Sequence, residues 1–377
     1  MKAQKEKKKY PPLWFVRASE RLRLFFLRMN RRFTHPNVVL WGMVHNMWMA
    51  SGIGVAAELG LADLLKQGPR HVAELARETG SDEESLYRLL RMLASEGIFR
   101  QGRRRTFENT SLSLPLQEEG IRYLLIAQLG SGQFELFSKL MESVKSGQPV
   151  PEYASGRELF EHIGGDSARN DYFNRAMSDV SRMQVPALLP VFPFHRYGVI
   201  ADIGGGQGHF LTAILEDCPS SKGILFDLPV VLQQNQDADS DSDVSESAPA
   251  ASNPVPAVMD RLSRISGDFF QEVPAGADLY MMKNILHDWN DEDAQKILLN
   301  IARAMSDKAR LLIIEAVLEE DNSPSFAKMT DILMMISAGG KERTRPQWEA
   351  LFTEAGFRIC RVHPTVSPHR IIELEKL

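Results

Sequence analysis

The sequence predicts an α/β protein: a doubly wound, largely parallel sheet in the C-terminal half, preceded by an all-helical domain with a winged-helix character. Three observations predict it. The stretch Val199-Ile-Ala-Asp-Ile-Gly-Gly-Gly-Gln-Gly208 is an apolar run closed by an acid and glycines, as at a strand, turn and helix. From there onward short apolar segments alternate with helical ones, which implies a parallel sheet. Residues His71 to Phe107 read as a small helical unit with a wing. At 377 residues and 44% hydrophobic content the chain can bury one large core and a smaller companion, so two domains are expected.

The N-terminus is strongly basic: in residues 1 to 33, eleven lysines and arginines oppose only Glu6 and Glu20. Charges interrupt its apolar residues Trp14, Phe15, Val16, Leu22, Leu24, Phe25, Phe26 and Leu27, and no small-residue cleavage site follows, which argues against a signal peptide. Two readings stay open, an amphipathic helix on an anionic membrane surface and a basic arm packed on its own protein. Val38 to Ala57 carries no formal charge and has the length of a span, but His45, Asn46, Ser51 and three glycines lower its lipid affinity. A buried or dimer-forming helix pair fits it better.

In the winged unit, Leu75 and Ala76 sit in a helix ended by Gly80, and Ser81 with Glu84 predicts a capping box for the next. Leu86, Leu89, Leu90 and Leu93 share that helix's apolar face, and Gly97 stops it. Its polar face sets Asp82, Glu83, Glu84 and Glu96 against Arg88 and Arg91 and would meet phosphates poorly, so a structural or dimerising role is expected rather than DNA reading. Arg103, Arg104 and Arg105 in the wing are the reservation. The overall charge of -5 likewise argues against a general nucleic-acid binder. Cys218 and Cys360 lack CxxC spacing, which fits a reducing, cytoplasmic compartment and supplies no metal set.

Residues from Gly120 to Pro190 read as helical, with loops at Gly147 to Pro151 and at Gly164-Gly165. Strands are then expected at Val199 to Ile203, Gly223 to Asp227, near Ile265, at Asp278 to Met282 and at Arg310 to Ala316, with a helix from His209. Gln233 to Ala257, rich in Asp, Ser, Ala and Pro, reads as a flexible surface insertion.

Ligands of a doubly wound sheet bind beyond the carboxyl ends of its strands, so the residues closing each strand carry the chemistry. The glycine loop leaves backbone amides uncovered at a helix mouth, yet the spacing after Gly204, Gly206 and Gly208 fails the dinucleotide fingerprint. Asp227 ends the second strand, where an acid can accept ribose hydroxyls. Asp268 and Phe269 follow the third, offering a carboxylate and a ring to an adenine. Lys283, His287 and Asp288 follow the fourth, and Glu315 closes the fifth. An unperturbed imidazole titrates near about 6.5, so neutral His287 could take a proton from a hydroxyl, with Glu315 holding its other nitrogen. Asn290 predicts the cap of the helix that follows.

Asp202-Ile-Gly-Gly-Gly-Gln-Gly208, Phe226-Asp-Leu-Pro229, Gly267-Asp-Phe269, Leu286-His-Asp-Trp289 and Gly339-Gly-Lys-Glu-Arg-Thr344 stand in one order. That series resembles the S-adenosylmethionine-dependent O-methyltransferases of the plant caffeate and acetylserotonin type, with bacterial relatives in natural-product pathways. The resemblance spans about residues 38 to 377. It implies a class I methyltransferase domain at 191–377, a winged-helix dimerisation domain at 38–115 interlocked in a homodimer and a helical substrate-pocket region at 116–190, and it leaves 1–37 outside as a basic arm. It also implies S-adenosylmethionine contacts from Gly204, Gly206, Asp227, Leu228, Asp268, Phe269, Lys283 and Ser181. His287 would be the base, flanked by Glu315 and Glu342. Met177, Asp288 and Met334 would line the pocket for a small aromatic or polyketide-like hydroxyl compound, although such methionines are also ordinary core filler. No metal is expected in the reaction. Relatives that methylate carbon or have lost methyl transfer, and a regulator built on the winged helix, are the alternatives. The arm and the insertion depart from the family pattern.

Overall fold

The computed structural model describes residues 11–150, 167–232 and 256–377. Two compact units divide the chain, one of residues 14–135 with 171–180, the other of 136–170 with 181–377 and the first 13 residues.

The first unit opens with two long helices, α1 (Leu13–Phe33) and α2 (Pro36–Glu58), the latter started by Pro36 and capped by the His35 side chain. Within the single chain α2 buries only its small-residue end, Gly52, Gly54, Ala56 and Ala57. Trp41 and Trp48 stand more than half exposed. By length and composition alone α2 could cross a membrane. Then come α3 (Leu61–Leu64), β1 (Arg70–His71), α4 (Val72–Thr79), α5 (Glu83–Ser95), β2 (Phe99–Gln101) and β3 (Thr106–Asn109). The three strands form a small antiparallel sheet in the order β1-β3-β2, of which β2 and β3 are the wing.

Leu86, Leu90 and Leu93 of α5 enter a core with Leu61, Val72, Leu75, Phe99 and Phe107. The expected Ser81–Glu84 box does not form. Asp82 is the cap instead, its carboxylate accepting from Ser85 N at 2.8 Å, because aspartate caps as well as serine and stands one residue closer to the helix. Of the wing arginines, Arg105 pairs with Glu84 at 2.8 Å and lies over the Tyr87 ring. Helices α6 (Arg122–Leu129), α7 (Ser131–Ser138), α8 (Leu140–Ser146) and α9 (Ser167–Leu188) follow. Gly164-Gly165 and nearly all of the Gln233–Ala257 insertion lie outside the described residues.

The second unit is built on an eight-stranded sheet. Its strands are β4 (Val199–Ile203), β5 (Lys222–Asp227), β6 (Leu262–Ser266), β7 (Leu279–Lys283), β8 (Arg310–Leu318), β9 (Arg343–Thr344), β10 (Phe357–Pro364) and β11 (His369–Lys376). The order is β10-β11-β8-β7-β4-β5-β6, with β9 added beside β8. β4 to β8 run parallel, whereas β11 is antiparallel to both its neighbours. Chain order reverses at β4, which pairs with β5 on one side and β7 on the other; this is the switch point at which such sheets open a crevice.

Helices cover the two faces: α10 (His209–Asp217) and α11 (Pro256–Met259), then α12 (Asp291–Ala304), α13 (Phe326–Ser337) and α14 (Arg345–Glu354). Two apolar clusters sandwich the sheet. One gathers Ile297, Leu298, Ile301, Trp348 and Phe352 against Tyr280, Leu311 and Ile313. The other gathers Phe210, Leu211, Ile214 and Leu215 against Leu225, Met281 and Leu312. Alternation along β7 and β8 sends successive side chains to opposite clusters, as strands buried on both faces require. The pair β10 and β11, absent from the sequence reading, closes the sheet beyond β8.

Candidate active site

All five parallel strands bring a polar residue to one edge of the sheet. Gly204, immediately after β4, adopts φ 71°, and Gly206 and Gly208 are left-handed too. A Cβ on Gly204 would stand 2.8 Å from Ile285 Cδ1, so the loop passes this close only because the residue is glycine. Gly206 faces open space. Its N–H donates to Asp227 Oδ2 at 2.7 Å, and Leu228 N donates to the other Asp227 oxygen at 2.7 Å. Burial pushes the Asp227 carboxyl up, with those two N–H groups holding it back. Asp227 thus already braces the loop it was expected to accompany, while Leu228 is exposed.

Asp268 accepts from Phe270 N at 2.9 Å, and the Phe269 ring comes within van der Waals reach of the Gly204 position. Asp202, fully buried in β4, is pushed by desolvation up to about 7, with Lys283 opposing the shift and Asp227 adding to it. Lys283 is pulled down by its own burial, against the pull of Asp202 and Glu315. Its Nζ donates to Gln184 Oε1 at 3.4 Å, and Gln184 also touches His369. Sequence reasoning missed Gln184 and His369; they lie 185 residues apart, so no local pattern could have joined them.

His287 sits in a single 3₁₀ turn, Leu286–Asp288, between β7 and α12. Asn290 caps α12 as expected, accepting from Asp293 N at 2.9 Å. Two acids converge on the imidazole. Glu342 Oε1 lies 3.0 Å from Nδ1, and Glu315 Oε2 lies 3.7 Å from the same atom. Glu342, rather than Glu315, therefore holds this nitrogen. The reason is that Glu315 Oε1 accepts from both Ile285 N and Leu286 N at 2.9 Å and is drawn under the turn. One oxygen of each acid, Glu315 Oε2 and Glu342 Oε2, has no hydrogen-bond partner among the described residues. In the neutral imidazole, with a carboxylate as acceptor, Nδ1 carries the hydrogen and Nε2 keeps its lone pair. Asp288 Oδ1 lies 3.5 Å from Nε2.

The imidazole is far from unperturbed. Burial disfavours its cation, but Glu315, Asp288 and Glu342 outweigh burial and lift its pKa to about 10. Burial in turn pushes Glu315 up to about 7 and Asp288 up to about 6, with His287 pulling each down. His287, Glu315 and Glu342 are the one group among the described residues whose donor atoms could jointly ligate a metal, within 4.8 Å of one another.

A residue quoted in the sequence motif but given no role there ties this site together. Arg343, fully buried, donates to Leu286 O at 2.9 Å, to Trp289 O at 2.8 Å and to Asp291 Oδ1 at 2.9 Å. It also lies over the Trp348 ring. Lys341 N donates to His287 O at 2.9 Å, and a Cβ on Gly340 would strike that oxygen at 2.1 Å. The segment carrying Glu342, which leads directly into β9, is thus clipped to both ends of the histidine turn.

Of the remaining expected residues, Ser181 is half-buried on α9 and Met334 half-buried on α13. Met177 belongs to the other unit and is 37% exposed. Met335, the neighbour of Met334, packs on the small cluster of Leu136, Val150 and Ile336.

Residues 137–358 match the O-methyltransferase domain, and residues 41–116 match the O-methyltransferase dimerisation domain. The chain belongs to the O-methyltransferase family. It is 33% identical over 338 residues to the phenazine O-methyltransferase PhzM of Lysobacter antibioticus, covering 89% of this chain and 95% of that one. The crystal structure of LaPhzM superposes with a TM-score of 0.82 at 32% identity, covering 91% of this chain and all of the other. CalO1, a methyltransferase in calicheamicin biosynthesis in its SAH-bound form, gives 0.76 at 30% identity over 91% and 98% of the two chains. This O-methyltransferase accordingly has the class I methyltransferase fold with an N-terminal helical dimerisation domain.

Proposed function

We propose that the O-methyltransferase transfers a methyl group from S-adenosylmethionine to the hydroxyl of a small aromatic or polyketide-like molecule, with His287 as general base. The observation that carries this reading is the imidazole oriented by Glu342 through Nδ1, at the same sheet edge as the glycine loop. The loop fits the donor: Gly206 faces open space, three left-handed glycines expose backbone, and Asp227, Asp268 and Phe269 stand beside it. Gly204, Gly206, Asp227, Leu228, Asp268, Phe269, Lys283 and Ser181 are the proposed donor contacts. When bound, the donor supplies an electrophilic methyl on a sulfonium, which leaves without Lewis-acid help.

His287 does the remaining work. A phenol has a pKa of about 10, like the tyrosine side chain, so a histidine lifted to about 10 accepts its proton with little free-energy change. The cost is that the free enzyme holds His287 mostly protonated at neutral pH. Glu342 and Glu315 stabilise the imidazolium formed as the acceptor oxygen turns anionic. Because Nδ1 is engaged by Glu342 through a hydrogen, we read the cluster as proton-handling rather than metal-binding; chelators should leave the rate unchanged, and a loss restored by divalent cation would overturn that reading.

Met177, Asp288 and Met334 are the proposed acceptor-side residues, and Asp288 beside Nε2 is the polar one among them. The working unit is proposed to be a cytoplasmic homodimer, supported by the dimerisation domain and by cysteine usage that fits a reducing compartment. The test is His287→Ala with labelled S-adenosylmethionine and a phenol panel. Turnover should fall by about 10² to 10⁴-fold while calorimetric donor binding persists. Equal turnover would remove His287 from the role of base.

A further inference from the structure

The long helix α1 presents an apolar face that no other described residue covers. Phe15, Leu22, Phe26, Met29 and Phe33 follow one another at spacings of three, four and seven, which puts them on one side of the helix. All five are exposed, Phe33 at 77%, and Trp14 and Phe25 widen the stripe along one edge. Val16, Leu24 and Leu27, on the opposite side, are the half-buried ones. The helix therefore carries two apolar stripes, and the larger one faces out.

Charge decides what that stripe meets. Arg17, Arg21, Arg28 and Arg32 run along the edge beside Trp14 and Phe25, and the only acid of the helix, Glu20, is taken by Arg23 at 2.6 Å. From Arg21 to Ala57 the sequence contains no Asp or Glu at all. A second copy meeting the stripe with this same segment would set arginine against arginine with no acid to pair. The match to the dimerisation domain begins only at residue 41, beyond α1. An aromatic face bordered by arginines is complementary to an anionic lipid surface, where rings enter the headgroup boundary and guanidinium groups meet phosphates.

We propose that α1 is an interfacial membrane helix that docks this O-methyltransferase on anionic lipid. The arginines supply attraction and the Phe15–Phe33 stripe supplies insertion, so binding needs both. This holds whatever the methyl acceptor is, because no residue of the helix belongs to the site described above.

Full-length protein is sedimented with phosphatidylcholine vesicles, with and without phosphatidylglycerol. The protein should pellet with the anionic vesicles only, and high salt should release it. In Leu22→Glu/Phe26→Glu, at two exposed positions, the partition coefficient should fall by about tenfold or more while donor binding measured by calorimetry is unchanged. Wild-type protein that stays in the supernatant with anionic vesicles at low salt overturns the proposal, and that result needs no variant to fold. Conversion of the dimer to monomer by Leu22→Glu/Phe26→Glu, with no vesicle binding by the wild type, would assign the stripe to a second copy instead.

Discussion

Replacing Glu342 by Gln keeps the side chain's size and removes the carboxylate nearest to Nδ1 of His287, at 3.0 Å. Coulomb's law at that separation gives about 5.5 kcal/mol for an effective dielectric constant of 20 and about 1.4 kcal/mol for that of water. At about 1.4 kcal/mol per unit, the imidazole's pKa should fall by roughly one to four units. In the wild type the surrounding acids lift it to about 10, so its neutral, proton-accepting form grows as pH rises through the neutral and alkaline range. The logarithm of kcat/KM should climb with pH over that range. In Glu342→Gln the climb should move to lower pH by the same one to four units. Its plateau should also drop by about tenfold to a hundredfold, because an orienting hydrogen bond to a charged group is worth about 1.5–3 kcal/mol. The assay is labelled methyl transfer at subsaturating phenol in buffers from acid to alkaline. A rising limb at the same pH in both proteins would refute the coupling, since the ionising group could not then be a histidine 3.0 Å from the lost charge.

Two further substitutions probe the frame around the reacting groups. Arg343→Lys leaves an ammonium that cannot span Leu286 O, Trp289 O and Asp291 together; at about 1–3 kcal/mol for each buried carbonyl left unpaired, the urea-unfolding free energy should fall by roughly 2–4 kcal/mol, and an unchanged midpoint would show that the clasp is dispensable. Gly204→Ala combines a left-handed backbone, costing about 1–2 kcal/mol, with a Cβ driven against Ile285, and calorimetry should show weaker S-adenosylmethionine binding while native-like circular dichroism is kept.

The sequence made the glycine loop, the strand-end acids and the histidine turn legible because each is a local pattern: an apolar run, a glycine spacing, a helix cap at Asn290. What it could not convey is how those patterns face one another. The strand pattern points to Glu315 as the partner of His287, with Glu342 added only by the family resemblance, whereas the backbone amides of Ile285 and Leu286 draw one oxygen of Glu315 away and leave the ring nitrogen to Glu342. The raised imidazole pKa is likewise a product of burial and of three acids from separate segments, so no single stretch announces it. The β10–β11 pair escaped notice because its charges, Arg358, Arg361, Glu373 and Glu375, break the apolar runs that mark the inner strands. The pattern places the cap at Ser81, whereas Asp82 takes it, one residue on, the scale on which side-chain competition rather than pattern decides.

The buried guanidinium of Arg343 has a consequence for how enzymes of this build diversify. It fastens His287 and Glu342 to a common piece of backbone, so their mutual spacing is insulated from whatever happens in the surrounding walls. On the proposed reading, the residues that meet the methyl acceptor are then free to be exchanged or reshaped for new molecules without disturbing that pair. If His287 is the base proposed above, a scaffold wired in this way separates the choice of what is alkylated from the pair that readies the oxygen.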